Sequence, residues 1–395
     1  MKGLLITYWF PPKASIASHR TYSFYKYLND KNNSLDVICP DWGNFENKIP
    51  GTEIIKTHKV DNKLFDFKKS LFTQIKEWVF YKIFKYNYFR DSKRGAFFNA
   101  ALISIKNIDL NIYDYIITSY NPLDVIHIGA YIKERYPKIK WIIDYRDYYS
   151  LNYYMDFGIF RNKFKKLEKN ITKNSDGFVT VSKTLQNGIE KLIRKESVVI
   201  YNGFEIFEKE KLSNELERAI EKMPVISYCG SLYNGKRDIE NFFQYYKSTG
   251  LDLKFKFIFA LIDQDDLKLV KNVVTKYNLK NVIIFENLSH QQCVSLMQHS
   301  TYLMMFADFS KKSDGFLSGK IFEYMSIQKP VIYSGNTDNY ELFELIKKNN
   351  LGDDYKKFNY NNAEAIQSSP VEFKRSNQTE KLKTFICKIV ENKNE

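Results

Sequence analysis

The chain has 395 residues, more than one ordinary core organises and enough for two domains of about 150–200 residues each. Its hydrophobic content of 44% and charged content of 27% are those of a globular protein, and no run of about 18 apolar residues marks a transmembrane helix. A net charge of +14 calls for an anionic partner such as a nucleic acid, a membrane surface or a phosphorylated ligand.

The first apolar run, Met1 to Tyr8, is too short for a signal peptide and lacks a small-residue cleavage site. It reads as a buried strand, which places the chain in the cytoplasm. Strand Gly3–Tyr8, helix Ile16–Asp30 and strand Leu35–Cys39 open an alternating pattern of short apolar strands and amphipathic helices. The segment Asn62–Asn107 interrupts it. This stretch is long, basic and aromatic, with Phe65, Phe72, Trp78, Lys82, Phe84, Lys85 and Arg90 among its residues. It is either helix covering the sheet or a contact with an anionic membrane. The pattern resumes with strand Tyr115–Ser119, helix Val125–Tyr136 and strand Trp141–Asp144. Strand Phe178–Ser182, helix Lys183–Ile193 and strand Val198–Tyr201 complete one doubly wound half.

A Glu/Lys-rich stretch, Glu205–Met223, reads as the interdomain linker. The second half alternates through strand Val225–Cys229, helix Ile239–Thr249, strand Phe255–Leu261, helix Asp265–Tyr277 and strand Val282–Phe285. Helix Ser289–His299, strand Tyr302–Phe306 and strand Val331–Tyr333 follow, and an amphipathic helix is expected over Gln378–Asn392. The four cysteines, Cys39, Cys229, Cys293 and Cys387, form no metal-binding spacing and read as reduced thiols. Asp263-Gln264-Asp265 sits at a loop–helix junction, where Asp is a common cap, and reads as structural rather than metal-binding.

The most informative stretch runs from Ser313 through Asp314, Gly315, Ser318, Gly319 and Lys320 to Glu323 and Tyr324, followed by Lys329-Pro330-Val331-Ile332. A polar loop entering a helix between two strands suits a phosphate, because the first helical N–H groups lack intrahelical partners. Lys320 adds a full positive charge. Glu323 cannot favour the same phosphate and suits hydroxyls such as those of a ribose. A site wanting both a diphosphate and a diol points to a nucleotide sugar.

The Gly-Lys-x-Phe-Glu-Tyr run with its Lys-Pro-Val-Ile continuation resembles the donor-site signature of GT-B glycosyltransferases, in particular the large retaining family 4. Four further pieces stand in the same order as in that family. Tyr8-x-Phe10-Pro11-Pro12 resembles its N-terminal loop, with Ala14 and Ser15 where a Gly-Gly pair is usual. Asp144-Tyr145-Arg146-Asp147 resembles the Asp-Phe-Arg-Asp motif of one branch. Asn202-Gly203-Phe204 resembles the turn at the domain junction. Gly230-Ser231-Leu232-Tyr233-Asn234-Gly235-Lys236-Arg237-Asp238 resembles the loop that carries the cation for the donor diphosphate.

The resemblance implies an α/β fold of two Rossmann-like doubly wound domains facing across a cleft. Residues 1–204 would bind the acceptor and 205–377 the donor, with the helix over 378–392 packing back on the first domain. It implies a retaining, metal-independent sugar transfer from a nucleotide-diphosphate sugar, most simply a UDP-sugar. The acceptor would be a glycan or a polyprenyl-linked lipid of bacterial surface polysaccharide synthesis, with membrane contact through 62–107 and no nucleic acid. Arg237 and Lys320 would neutralise the leaving diphosphate in place of a metal or other cofactor. Ser15, Gly230, Ser231, Lys236, Asp314, Ser318, Gly319 and Glu323 would complete the donor site. Asp147 would orient the acceptor hydroxyl or take its proton, with Arg146 beside it, and Arg20, Asp144 and Tyr148 would line the acceptor site. The family often has two glutamates separated by seven residues. Glu323 matches the second, while Gly315 stands at the place of the first with Asp314 adjacent; Asp308 is a further candidate near this strand end. Two rivals share parts of this pattern: a GT-B-fold nucleotide-sugar 2-epimerase, and a non-catalytic basic protein that binds membrane or RNA.

Overall fold

The computed structural model describes residues 1–57, 95–152, 160–233, 235–237, 239–310, 314–338, 340–361 and 370–391. The chain divides into two compact units, one of Met1–Gly203 with Arg375–Glu395 and the other of Phe204–Lys374.

The first unit is built on a parallel sheet of β1 (Lys2–Thr7), β2 (Ser34–Pro40), β3 (Ile54–Thr57), β4 (Tyr115–Tyr120), β5 (Lys140–Tyr145), β6 (Gly177–Thr180) and β7 (Ser197–Val199), in the order β3-β2-β1-β4-β5-β6-β7. The central strands β1, β4 and β5 are buried along almost their whole length because helices cover both faces. Leu4, Ile6, Ile116 and Ile143 point into one core, and Leu5, Val37, Ile117 and Ile142 into the other. The first core is covered by α2 (Ala96–Ile105), α3 (Leu123–Arg135), α4 (Arg161–Thr172) and α5 (Lys183–Ile193). Trp141, fully buried, fills the space over Gly129 of α3, where any Cβ would overlap the indole. The second core is closed by α1 (Ile16–Leu28), which brings Phe24, Tyr25 and Leu28.

The second unit repeats the topology. Its strands are β8 (Val225–Cys229), β9 (Lys256–Leu261), β10 (Val282–Glu286), β11 (Tyr302–Phe306), β12 (Val331–Ser334) and β13 (Gly352–Asp354), in the order β10-β9-β8-β11-β12-β13. Aromatic side chains dominate its core, with Phe257 and Phe259 4.6 Å apart and Phe242 and Phe243 packed beside them. The helices, in chain order, are α6 (Asn214–Ile220), α7 (Glu240–Ser248), α8 (Leu251–Lys254), α9 (Gln264–Lys276), α10 (His290–His299), α11 (Lys320–Ile327) and α12 (Glu341–Lys348). Caps set their starts: Asp263 accepts from the N–H groups of Asp265 and Asp266, and Ser289 with Gln292 forms a capping box on α10.

The last helix, α13 (Arg375–Glu391), belongs to the first unit. Leu382, Phe385, Ile386 and Ile389 enter the same core as Phe24 and Leu35, and Gln378 accepts from the Tyr201 N–H at 2.8 Å. It begins three residues before the expected start because Arg375–Asn377 already form its first turn.

One expectation is corrected. The stretch 205–223 is not a bare linker: Ser213 caps α6, and Leu216 and Ala219 are buried. Its high charge masked a three-residue apolar spacing. Most of Asn62–Asn107 lies outside the described residues, and its end forms α2, with Phe97, Phe98, Ala101 and Ile105 buried. No helix among the described residues is long and apolar enough to cross a membrane.

Candidate active site

In each sheet the strand order reverses beside the first strand, between β1 and β4 and between β8 and β11. Loops leaving the carboxyl ends of strands diverge there, and open α/β sheets bind ligands at that point.

In the second unit β8 ends at Cys229, and Gly230 turns the chain with φ +123°. A Cβ at Gly230 would lie 2.6 Å from Cε and Nζ of Lys320, so glycine is what lets the lysine lie against the turn. Asp266 shapes the rest of the loop. Its Oδ2 accepts from Ser231 Oγ at 2.8 Å and from the Leu232 N–H at 2.6 Å. Arg237 folds back over this turn. Its Nη1 donates to Tyr228 Oη at 2.9 Å and to the Ser231 carbonyl at 3.4 Å, and its Nη2 donates to Ser318 Oγ at 3.4 Å. The guanidinium also lies 4.5 Å from the Tyr233 ring centre.

Lys320 starts α11 after Gly319, and its Nζ lies 5.2 Å from the ring centre of Tyr228. Two cations therefore flank one buried tyrosine. Burial, and then the charge of Arg237, push the Lys320 ammonium down to about 7. Glu323 and Asp266 pull the other way without offsetting burial and Arg237, so the ammonium is favoured by an anion placed beside it. Glu323 lies on the next turn of the same helix, with Oε1 3.2 Å from Nε2 of His290, and His290 packs against Phe207 at 5.9 Å.

The other residues expected at a donor are placed as follows. Ser15, in the first unit, caps α1 by accepting from the Ser18 N–H at 3.0 Å. Lys236 is exposed. Asp314 Oδ1 accepts from the N–H groups of Gly315 and Glu341, which ties the loop to the start of α12. Asp308 accepts from the Ser310 N–H at 2.7 Å. Asn234, Asp238 and Ser313 lie outside the described residues.

In the first unit the Asp-Tyr-Arg-Asp run leaves the end of β5. Arg146 reaches back to the end of the neighbouring strand β4, with Nε donating to the Tyr120 carbonyl at 2.8 Å and Nη2 to that of Asn121 at 3.4 Å. Burial raises the Asp147 carboxyl to about 6 against the opposing pull of Arg146. Behind it, Glu168 of α4 accepts from the N–H and Oγ of Ser150, and Arg161 donates to the Ser150 carbonyl at 3.0 Å. The loop that carries Asp147 is thus pinned three residues further on.

Arg20 and Asp144, expected to face an acceptor, close on each other instead. Both are buried; Arg20 Nη2 lies 2.8 Å from Asp144 Oδ1, and its Nη1 donates to the Ile200 carbonyl at 2.6 Å. Asp144 Oδ2 also accepts from Ser119 Oγ at 2.7 Å. The pair is an internal tie between α1, β4, β5 and the end of the sheet. Tyr148 likewise spends its hydroxyl on the Thr184 carbonyl at 2.8 Å. Tyr228, Asp266, His290 and Glu168 were not anticipated as parts of these sites. Only Asp266 carried a signal, as the third acid in Asp263-Gln264-Asp265-Asp266.

No family model matches the chain. Over 171 residues it is 28% identical to an uncharacterised glycosyltransferase of Methanocaldococcus jannaschii; the match covers 42% of this chain and 41% of that protein. The chain thus spans about two fifths of the length of the curated relative it matches. Among solved structures it is similar to sucrose-phosphate synthase from Thermosynechococcus elongatus, with a TM-score of 0.62 and 12% identity over 98% of this chain and 99% of the other. It is also similar to the catalytic domain of starch synthase IV from Arabidopsis thaliana bound to ADP and acarbose, with a TM-score of 0.59 and 11% identity over 99% and 100%. At these identities the likeness is one of fold, and the chain is an α/β protein of the two-domain GT-B type.

Proposed function

We propose that the protein is a retaining, metal-independent glycosyltransferase of the family 4 kind. It transfers a sugar from a nucleotide-diphosphate sugar, a UDP-sugar in the simplest case, to a glycan or polyprenyl-linked acceptor of bacterial surface polysaccharide. The observation that carries the reading is the convergence of Arg237 and Lys320 on the Gly230–Ser231 turn, at the switch point of the second sheet. Departure of a nucleoside diphosphate leaves negative charge on its terminal phosphate. Two fixed cations beside that oxygen favour the oxocarbenium-like transition state over the ground state. A lysine held near neutrality gains its proton as that charge appears. Glu323, one turn further along α11, is suited to the ribose hydroxyls. In the first unit Asp147, held near 6, orients the acceptor hydroxyl or accepts its proton, and Arg146 keeps it in place. The basic charge of the chain suits an acceptor on the inner face of the cytoplasmic membrane.

The test is a thermal-shift panel with UDP, GDP, CDP, dTDP and ADP, with and without EDTA. Stabilisation by one diphosphate, unchanged by EDTA and lost in Arg237→Ala, is the expected result. No shift with any nucleotide, alongside binding to anionic vesicles or RNA, would sink the reading in favour of a non-catalytic basic protein. Nucleotide binding with release of a free epimerised sugar would replace transfer by epimerisation.

A further inference from the structure

An aromatic cluster at the carboxyl ends of β1 and β2 takes no part in the machinery described above. β1 runs out into Tyr8-Trp9-Phe10, and β2 into Asp41-Trp42. Buried Tyr8 stands edge-on to both indoles, 5.2 Å and 83° from Trp9 and 5.1 Å and 87° from Trp42. Phe97 packs edge-on against Tyr8 at 5.5 Å and 81°. The two indoles are therefore nearly parallel, 6.4 Å between ring centres and 11° between planes. Their backbones and rims are tied: Trp42 Nε1 donates to the Tyr8 carbonyl at 2.9 Å, and the Trp9 carbonyl accepts from Thr21 Oγ1 at 2.6 Å. Both indoles nonetheless stay partly exposed.

Charge lies beside this pair. Lys13 Nζ sits over the Trp42 ring, 5.4 Å from its centre, and Lys56 pairs with half-exposed Asp41 at 3.2 Å. A rigid aromatic face with negative π density meets the partly positive C–H bonds of a ligand, while an ammonium and a carboxylate nearby meet hydroxyls. A pyranose ring offers both, an apolar C–H face and a polar rim. An isoprenoid chain would leave the nearby charges unmatched. The platform also leaves the same end of the sheet as Arg146 and Asp147, two strands from β5 on the far side of β4.

We propose that Trp9 and Trp42, with Lys13 beside them, form a saccharide-binding platform that holds a pyranose ring of the acceptor. The inference rests on the glycosyltransferase reading for the word acceptor and on the aromatic geometry alone for the binding of a sugar. The test is saturation-transfer NMR on the full chain with a panel of methyl pyranosides (gluco, galacto, manno, rhamno and N-acetylglucosamino) and with geranyl phosphate. At least one pyranoside should receive saturation, and Trp42→Leu should cut that signal about tenfold, with Trp42→Phe retaining most of it. Stabilisation by the nucleoside diphosphate should be the same in all three proteins. Should Trp42→Leu fail to fold, Lys13→Ala is the second variant, with a threefold weaker signal expected. No transfer to any pyranoside, an undiminished signal in the variant, or transfer to geranyl phosphate alone would overturn the proposal. Pyranoside binding without stabilisation by any nucleoside diphosphate would leave the platform standing and remove the transferase reading.

Discussion

The two units share a strand order and differ in what they do with charge at its switch point. In the first, Arg20 meets Asp144 and a carbonyl inside the protein, so the guanidinium is consumed by the fold. In the second, Arg237 and Lys320 face each other across Tyr228, and Lys320 is driven towards neutrality. The Arg20 guanidinium is closed by direct contact with a carboxylate, whereas among the described residues Arg237 and Lys320 make no direct ion pair, with Glu323 and Asp266 acting on Lys320 only from a distance. The topology that creates the opening is common to both, and the local pairing of charge there is what differs.

The largest effect expected from breaking this contrast is on stability. Arg20→Met leaves Asp144 buried and unpaired and should cost about 3–5 kcal/mol in a denaturant titration. Arg20→Met with Asp144→Leu should cost markedly less than the two single changes added together, because the charge left behind is the damaging element. Arg237→Ala should leave the denaturation midpoint nearly unchanged and lower kcat/KM for sugar transfer by about 10²-fold, the effect of losing one preorganised donor at a developing anion.

Gly230→Ala sharpens the comparison further. It places a methyl group against Lys320 at a φ that L-residues rarely adopt. Nucleoside diphosphate affinity should fall about tenfold, measured by calorimetry, with Lys320→Met falling by a similar factor.

The smallest effect is a pH dependence. Lys320 is held near 7, so an unliganded site at higher pH has lost that charge, and binding a diphosphate draws a proton back. Affinity should fall by up to tenfold for each pH unit above 7 until the bound lysine itself titrates, and the dependence should vanish in Lys320→Met. The sign for folding is opposite. The unfolded chain holds this proton up to its ordinary value of 10.5, so the unliganded protein gains stability from this residue as pH rises from about 7 towards 10.5.

Much of this was legible in the sequence, and each illegible part has a physical cause. Val225–Cys229 and Tyr302–Phe306 were read with their observed bounds because buried parallel strands are unbroken apolar runs between turns. Lys320, Glu323 and Arg237 stand out as candidates in the sequence because each sits in a local loop–helix pattern. Arg20 was not, since its partner Asp144 is 124 residues away and helical position alone does not say which way a guanidinium turns. The short strand β13, Gly-Asp-Asp, carries no apolar signal and forms because Val331–Tyr333 offers it an edge. Helix α4 hid for a different reason: Phe164, Leu167 and Ile171 keep a helical spacing and pack on the core, but five basic residues among its twelve dilute that signal.

The return of α13 to the first unit sets an order of events during synthesis. Phe24, Leu35, Ile117 and Val179 leave the ribosome long before Leu382, Phe385 and Ile386, which cover them. The whole of Phe204–Lys374 is made in between. At about 5–20 residues per second the wait is roughly 10–30 s. The second unit, continuous in sequence, can complete its core during that time, while the first carries an open apolar face. The second unit is thus free to mature first, and the first unit can close its core only once α13 has been made.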